Sequence, residues 1–266
     1  MQAIQDITPQ TAVVGPWFRH DRKAIQDLED VRQVSARLFP QNLPQLASIA
    51  YAGVCVEANF AGGDFYDFFD CGPYRLGLAV GDVSGNGVAS ALLRATLQAS
   101  LRTLRMTGLN DFEGQLTLAN RLLLSSAPDA MYASLFFAEY DERSRRLRYV
   151  NCGHPATLLL HGERASWLQP TTTVIGLFND WQCSVAEVYL QPGDTLLLYT
   201  DGVTEATDSA GDEFGPDRLL AALKARNDFP LSALLQECVD EVRGFAQGNR
   251  CDDLTLVALR CLEQEI

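Results

Sequence analysis

Three apolar runs in this sequence stop or start on aspartate, so strands that belong in a core must end abruptly on charge. They are Leu76-Gly77-Leu78-Ala79-Val80-Gly81-Asp82, Leu196-Leu197-Leu198-Tyr199-Thr200-Asp201-Gly202 and Asp252-Asp253-Leu254-Thr255-Leu256-Val257. A fourth acid, Asp64, sits in Gly62-Gly63-Asp64-Phe65-Tyr66-Asp67, just beyond the apolar run that opens at Ile49. One aspartate at a strand end is ordinary, because its short polar side chain makes turns and caps helices. Four together are not, since a sheet gathers its strand ends in space and carboxylates meeting there repel unless a cation joins them.

Hard divalent cations that take oxygen ligands octahedrally suit such a set, which points to magnesium or manganese rather than zinc. Glycine beside three of the acids lets backbone approach an ion or a phosphate closely. Two such ions, on the order of 3.5–4 Å apart, can activate a water and hold a phosphoryl group for in-line attack. That chemistry needs no protein nucleophile, and the sequence lacks the usual signatures of one. It has no G-x-x-x-x-G-K-[ST] loop, no G-x-G-x-x-G, no G-x-S-x-G elbow and no cysteine followed six residues later by arginine.

Charge narrows the partners. With 21 Lys+Arg against 34 Asp+Glu the net charge is −13, which argues against binding nucleic-acid phosphate or anionic lipid and favours cations. The seven cysteines are scattered and never form C-x-x-C, so buried thiols in a reducing compartment are expected rather than disulfides or zinc. The first 25 residues show no cationic start followed by an apolar core, and no run approaches the roughly 20 apolar residues of a membrane span. A cytoplasmic protein without a membrane segment is the expectation.

Ala24, Leu28, Val31, Ser35 and Leu38 fall at alternating spacings of four and three, predicting an amphipathic helix that ends before Pro40. The seam can pack on its own domain or pair with a second copy. Residues 1–45 thus read as an N-terminal extension, with Gln41 to Leu46 leading into a main domain over 46–263. There the predicted strands are Ile49–Phe60, Arg75–Val83, Tyr132–Tyr140, Leu147–Cys152, Thr157–His161, Val185–Leu190, Thr195–Thr200 and Leu254–Leu259. Helical spacing marks Val88–Ala99, Leu116–Leu124, Arg218–Leu223 and Leu231–Phe245. Consecutive strands without a helix between them, such as the pair around Asp141–Arg146, favour antiparallel pairing and an α+β layered domain.

Five motifs in order carry a resemblance: GGDFYD (62–67), VGDVSGNGVASALL (80–93), NCGHPATLLL (151–160), LYTDGVTEA (198–206) followed by FG (214–215), and DDLTLV (252–257). From about residue 46 to 262 the chain resembles the metal-dependent protein phosphatases of type 2C (PPM), in the bacterial SpoIIE/RsbU branch that controls sigma factors. The resemblance implies a four-layer αββα sandwich of two antiparallel sheets between helices, with two manganese or magnesium ions at one end. It implies that Asp82 bridges both ions, that Asp64 and the Val83 carbonyl complete one, and that Asp201 with Asp252 holds the other. Gly202 and Asp253 would flank the second ion. Asp67 reads either as an acid of the site or as a surface acid in the turn. Asn86 stands where histidine or lysine is more usual, and Cys152 where alanine is common; neither position is a metal ligand in the family. His154, between two strands, fits a structural turn better than a general acid.

The implied substrate is phosphoserine or phosphothreonine on a STAS-type anti-sigma-factor antagonist. The N-terminal helix resembles the segment that in relatives joins the phosphatase to a sensor or dimer interface and can switch activity, so a homodimer through that helix is one expectation. Without a sensor ahead of it, the regulator is a separate partner or the chain is part of a longer one. A phosphoprotein-binding module that has lost hydrolysis is the competing reading, and the retention of all four aspartates weighs against it. A calcineurin-like two-metal hydrolase would need histidine-bearing motifs that three histidines do not supply.

Overall fold

Runs such as Leu196-Leu197-Leu198-Tyr199 are apolar at every position, so a sheet that holds them needs cover on both faces. The computed structural model describes residues 17–41, 44–59, 61–106, 111–128, 130–249 and 252–263. In chain order its strands are β1 (Ile49–Val56), β2 (Phe65–Asp70), β3 (Arg75–Val83), β4 (Ala133–Asp141), β5 (Arg146–Cys152), β6 (Thr157–His161), β7 (Arg164–Leu168), β8 (Ala186–Tyr189), β9 (Thr195–Tyr199) and β10 (Leu254–Cys261). The helices are α1 (Trp17–Leu38), α2 (Gly87–Met106), α3 (Phe112–Ser126), α4 (Asp201–Thr204), α5 (Gly215–Ala225) and α6 (Leu231–Ala246).

Two five-stranded sheets form, ordered β1-β10-β9-β6-β7 and β2-β3-β4-β5-β8, and every pairing within them is antiparallel. Alternation along each strand divides the core in three. Leu196 and Leu198 meet Leu78, Val80 and Phe136 between the sheets. Leu197 and Tyr199 turn the other way, onto α5 and α6 through Leu219, Leu234 and Val239. On the opposite side Ala79, Leu135 and Phe137 pack under Leu97 and Leu101 of α2 and Leu116 of α3. The result is the expected helix–sheet–sheet–helix sandwich.

Two strands escaped prediction. β2 is separate from β1, because the chain leaves the sheet after Val56 and re-enters at Phe65 in the other one. β7 is an edge strand whose first three residues, Arg164 to Ser166, are exposed, so it has no apolar alternation to read. α1 starts at Trp17, seven residues before the seam that predicted it. It packs on its own domain: Ser35 is buried and Leu38 accepts from Gln98 and Arg102 of α2. No helix among the described residues is long and apolar enough to cross a membrane.

Phe136 lies between the sheets, fully buried and stacked on Tyr149 at 5.2 Å between ring centroids. Removing it leaves a cavity that flanking strands cannot close, so Phe136→Ala should cost about 3–5 kcal/mol of unfolding free energy, read from the urea midpoint.

Candidate metal centre

Register places the acids before any side-chain contact does. β2 and β3 pair with Phe65 opposite Gly81, so one residue further along Asp64 stands opposite Asp82 and Gly63 opposite Val83. The Val83 amide donates to the Gly63 carbonyl at 3.2 Å. In the other sheet β10 pairs with β9 and β1, and the Thr200 amide donates to the Thr255 carbonyl at 3.1 Å, so Asp201 and Asp252 leave the same end. The two sheets are tied there by Thr200, whose hydroxyl donates to the Asp64 carboxylate at 2.6 Å and accepts the Thr255 amide at 3.2 Å.

Close backbone approach needs glycine at three points. A Cβ on Gly63 would lie 2.3 Å from the Val83 carbonyl oxygen, one on Gly62 would strike the Asp253 carboxylate at 1.5 Å, and one on Gly202 would lie 2.2 Å from the Asp253 carbonyl oxygen. Each is a cradle that any larger residue would fill.

The acids perturb one another in the way that cation sites do. Burial, then the charge of Asp82, raises the proton affinity of Asp64 well above the usual carboxylate range, while the Thr200 hydroxyl pulls it back. Burial, then Asp201 and Asp252, pushes Asp82 up to about 7, and its carboxyl lies within hydrogen-bonding reach of Asp64. Asp201 is raised by burial and by Asp252. Among the described residues no three acid, histidine or cysteine side chains close on one point. The set is an open rim of oxygens. Asp201 and Asp252 line a hollow of about 350 Å³ with Asn86 and Glu205. Asp82 and Asp201 line a second of about 460 Å³ with Tyr132, Ser134 and His154. This all-oxygen donor set, with glycine-lined backbone beside it, fits hard divalent cations.

Residues behind the rim were less legible. Asp253 is buried and accepts the Ala58 amide at 2.7 Å and the Asp64 amide, so it fastens the loop that carries Asp64 to the start of β10. Arg94, 1% exposed on α2, donates to the Asp64 carbonyl at 2.8 Å, to Glu57 at 3.0 Å and to the Ser35 hydroxyl of α1. Nothing local in the sequence marks an arginine inside an apolar helix as a buried anchor. Asp67 is no surface acid: it is buried on β2 and paired with Arg102 of α2 at 2.5 Å. His154 is buried, bonded through Nδ1 to Ser134 at 2.8 Å, and its amide donates to Asn151 at 2.8 Å. Burial lowers its pKa to about 3, so the imidazole is neutral with no acidic proton to offer at neutral pH. Cys152 is a fully buried member of the core under α2 and α3.

The chain was compared with known proteins. The family model described as Stage II sporulation protein E (SpoIIE) matches residues 72–262. Protein IcfG of Synechocystis sp. is 29% identical over 88% of this chain and 41% of its own length. Phosphoserine phosphatase RsbU of Bacillus subtilis is 24% identical over 88% of this chain and 70% of its own length. The SiaA-PP2C domain of Pseudomonas aeruginosa superposes with a TM-score of 0.77 at 24% identity, covering 91% of this chain and 98% of that one. The chain therefore spans less than half of the first relative.

Two outcomes follow from this geometry. In metal-free protein Asp82 holds a proton up to about pH 7, whereas an unfolded aspartate releases it near 4. The folded state thus binds more protons between those values, and the stability that this proton gives, present below about pH 4, is lost as pH rises through about 7. Thermal melts in EDTA should fall over that window, Asp82→Asn should flatten the slope, and manganese should raise the melting temperature most at the alkaline end. Separately, Arg94→Met strands Glu57 and frees the Asp64 carbonyl, so it should cost about 3–5 kcal/mol in denaturant unfolding and weaken manganese binding.

Proposed function

The chain belongs to the SpoIIE family, and from that premise we propose that it is a metal-dependent protein serine/threonine phosphatase. The observation that carries the reading is the acidic rim: Asp64, Asp82, Asp201 and Asp252 border one end of the sandwich, three with raised proton affinity from burial and from one another. In this reading Asp82 lies between two manganese or magnesium sites. Asp64 and the Val83 carbonyl serve one, and Asp201 with Asp252 serves the other. Cations held there would supply Lewis acidity and activate a water for attack on phosphorus.

The chain's own residues do the rest. The Thr200 hydroxyl donates to the Asp64 carboxylate, which fixes its orientation and opposes the burial that favours its protonated form. Asp253 and Arg94 fix the backbone on either side of Asp64. Asn86, in the hollow beside Asp201 and Asp252, is placed to donate to a phosphoryl oxygen or leaving group. His154 keeps the turn above Asp82 rigid.

The substrate is a phosphoserine or phosphothreonine on a STAS-type anti-sigma-factor antagonist in a partner-switching pathway; the likeness to phosphoserine phosphatase RsbU supports this. Residues 46–263 form the phosphatase domain, and 1–45 an extension through which a second copy or a separate regulator acts from the cytoplasm. An apolar groove of about 330 Å³ between α1 and α2, with Val34 and Leu92 exposed along it, supports a contact there.

Hydrolysis of p-nitrophenyl phosphate should depend on manganese. Asp82→Asn should lower kcat/KM by more than the roughly 10- to 100-fold that loss of an outer-shell partner brings. Asp201→Asn should titrate one ion fewer by calorimetry while its circular dichroism stays that of the parent. Absence of manganese-dependent turnover, together with an Asp82→Asn protein that behaves as wild type, would leave only a phosphoprotein-binding module.

A further inference from the structure

A phosphatase surface that is acidic at its centre, on a chain of net charge −13, has to hold a phosphate that is itself anionic. Cations at the centre would meet the phosphate, but they do nothing for acidic side chains beside it. Among the described residues, no lysine or arginine lines the hollow with Asn86 and Glu205, and none lines the one with Tyr132 and Ser134. A third hollow, of about 430 Å³, borders one of these acids: Ala58 and Asp252 line both it and the first, so the two adjoin at that rim. Its remaining wall comes from the ends of β1 and α6 and from Leu254, and among the described residues it holds one cation, Arg243.

Arg243 differs from the other arginines near the site. Arg94 and Arg102 are committed to Glu57 and Asp67, Arg226 to Glu237 and Glu241, and Arg218 to the carbonyls of Glu213 and Phe214. Arg243 is exposed and makes no ion pair or side-chain hydrogen bond with any described residue. Glu57, the acid in the same hollow, already accepts from Ser35 and Arg94. A lone arginine in the last turn of a helix does complement the helix dipole, but that role needs no groove and no neighbouring acid site. A guanidinium presents paired N–H donors that match a carboxylate, and a partly enclosed wall screens the pair less than open water does.

Resting on the phosphatase reading, we propose that Arg243 is a specificity-determining residue that receives an acidic side chain of the substrate, close in sequence to the phosphoserine, in the groove between α6 and the end of β1. The substrate chain would cross the rim at Ala58 and Asp252 with its phosphate at the four aspartates and its carboxylate at Arg243.

Two phosphoserine peptides test this, alike except that aspartates and glutamates flanking the phosphoserine become asparagine and glutamine in the second. Wild type should favour the acidic peptide in kcat/KM by about three- to tenfold, the range of a partly screened charge pair. Arg243→Ala should bring the ratio close to one, Arg243→Glu should invert it, and Arg243→Lys should keep part of it. A helix-capping role would shift the melting temperature of each variant but leave the ratio where it was. Equal rates for both peptides with wild type, or the same preference in Arg243→Ala, would overturn the proposal. If neither peptide nor p-nitrophenyl phosphate is hydrolysed, the phosphatase reading falls instead. The peptide pair is then compared by fluorescence anisotropy, where equal affinities for wild type and Arg243→Ala would count against the arginine.

Discussion

Carboxylates brought close together repel one another, and the two sheets of this protein are stacked so that four of them, from buried Asp64 to exposed Asp252, border one end. The cost is visible in the protons they would rather hold: Asp64 and Asp82 are pushed up by burial first and by neighbouring acids second. Such an arrangement persists only where the surrounding structure forces it or a cation relieves it. Here the forcing is done by register, because antiparallel pairing at the ends of β2 and β3 leaves Asp64 and Asp82 side by side whatever their charge.

Much of the remaining architecture near that end can be understood as restraint on Asp64. Its carboxylate is held from the other sheet by Thr200, its amide by Asp253 and its carbonyl by Arg94. These three partners lie just past β9, just before β10 and within α2, so three separate parts of the fold meet on one residue. The Arg94 contact extends further, because the same guanidinium reaches Ser35 and so joins α1 to the backbone of the acidic rim. Buried arginine is costly without partners, and here each partner is a group the site already needs in a fixed place.

Charge elsewhere follows the same economy. Asp67 and Glu139 are buried, yet each faces an arginine of α2, Arg102 and Arg105, so the helix that covers one sheet is also its source of counter-charge. Among the described residues no such arginine lines the hollows of Asp82 and Asp201. That contrast separates acids neutralised within the fold from acids left without a facing cation among the described residues, and spacing along the chain does not reveal it.

Local pattern was enough for several elements. The apolar runs at 75–83, 157–161 and 195–199 form strands at nearly those bounds, because a stretch that is apolar on both faces can only be interior sheet. The aspartates at their ends were legible for the same reason, since charge cannot continue into a core. β2 and β7 were not legible, one because the loop through Glu57, Asn59 and Gly62-Gly63 interrupts the strand without marking a change of sheet, the other because an exposed edge has no pattern to show. The partners of Asp253, Arg94 and Asp67 also lay beyond the sequence. Their roles depend on which groups 30 to 195 residues away stand opposite them, as the Arg94–Asp64 and Asp253–Ala58 hydrogen bonds do. Sequence by itself determined where charge interrupts the strands; only the stacking of two sheets decided which charges share a site and which are neutralised, because Coulomb interactions act across space and not along the chain.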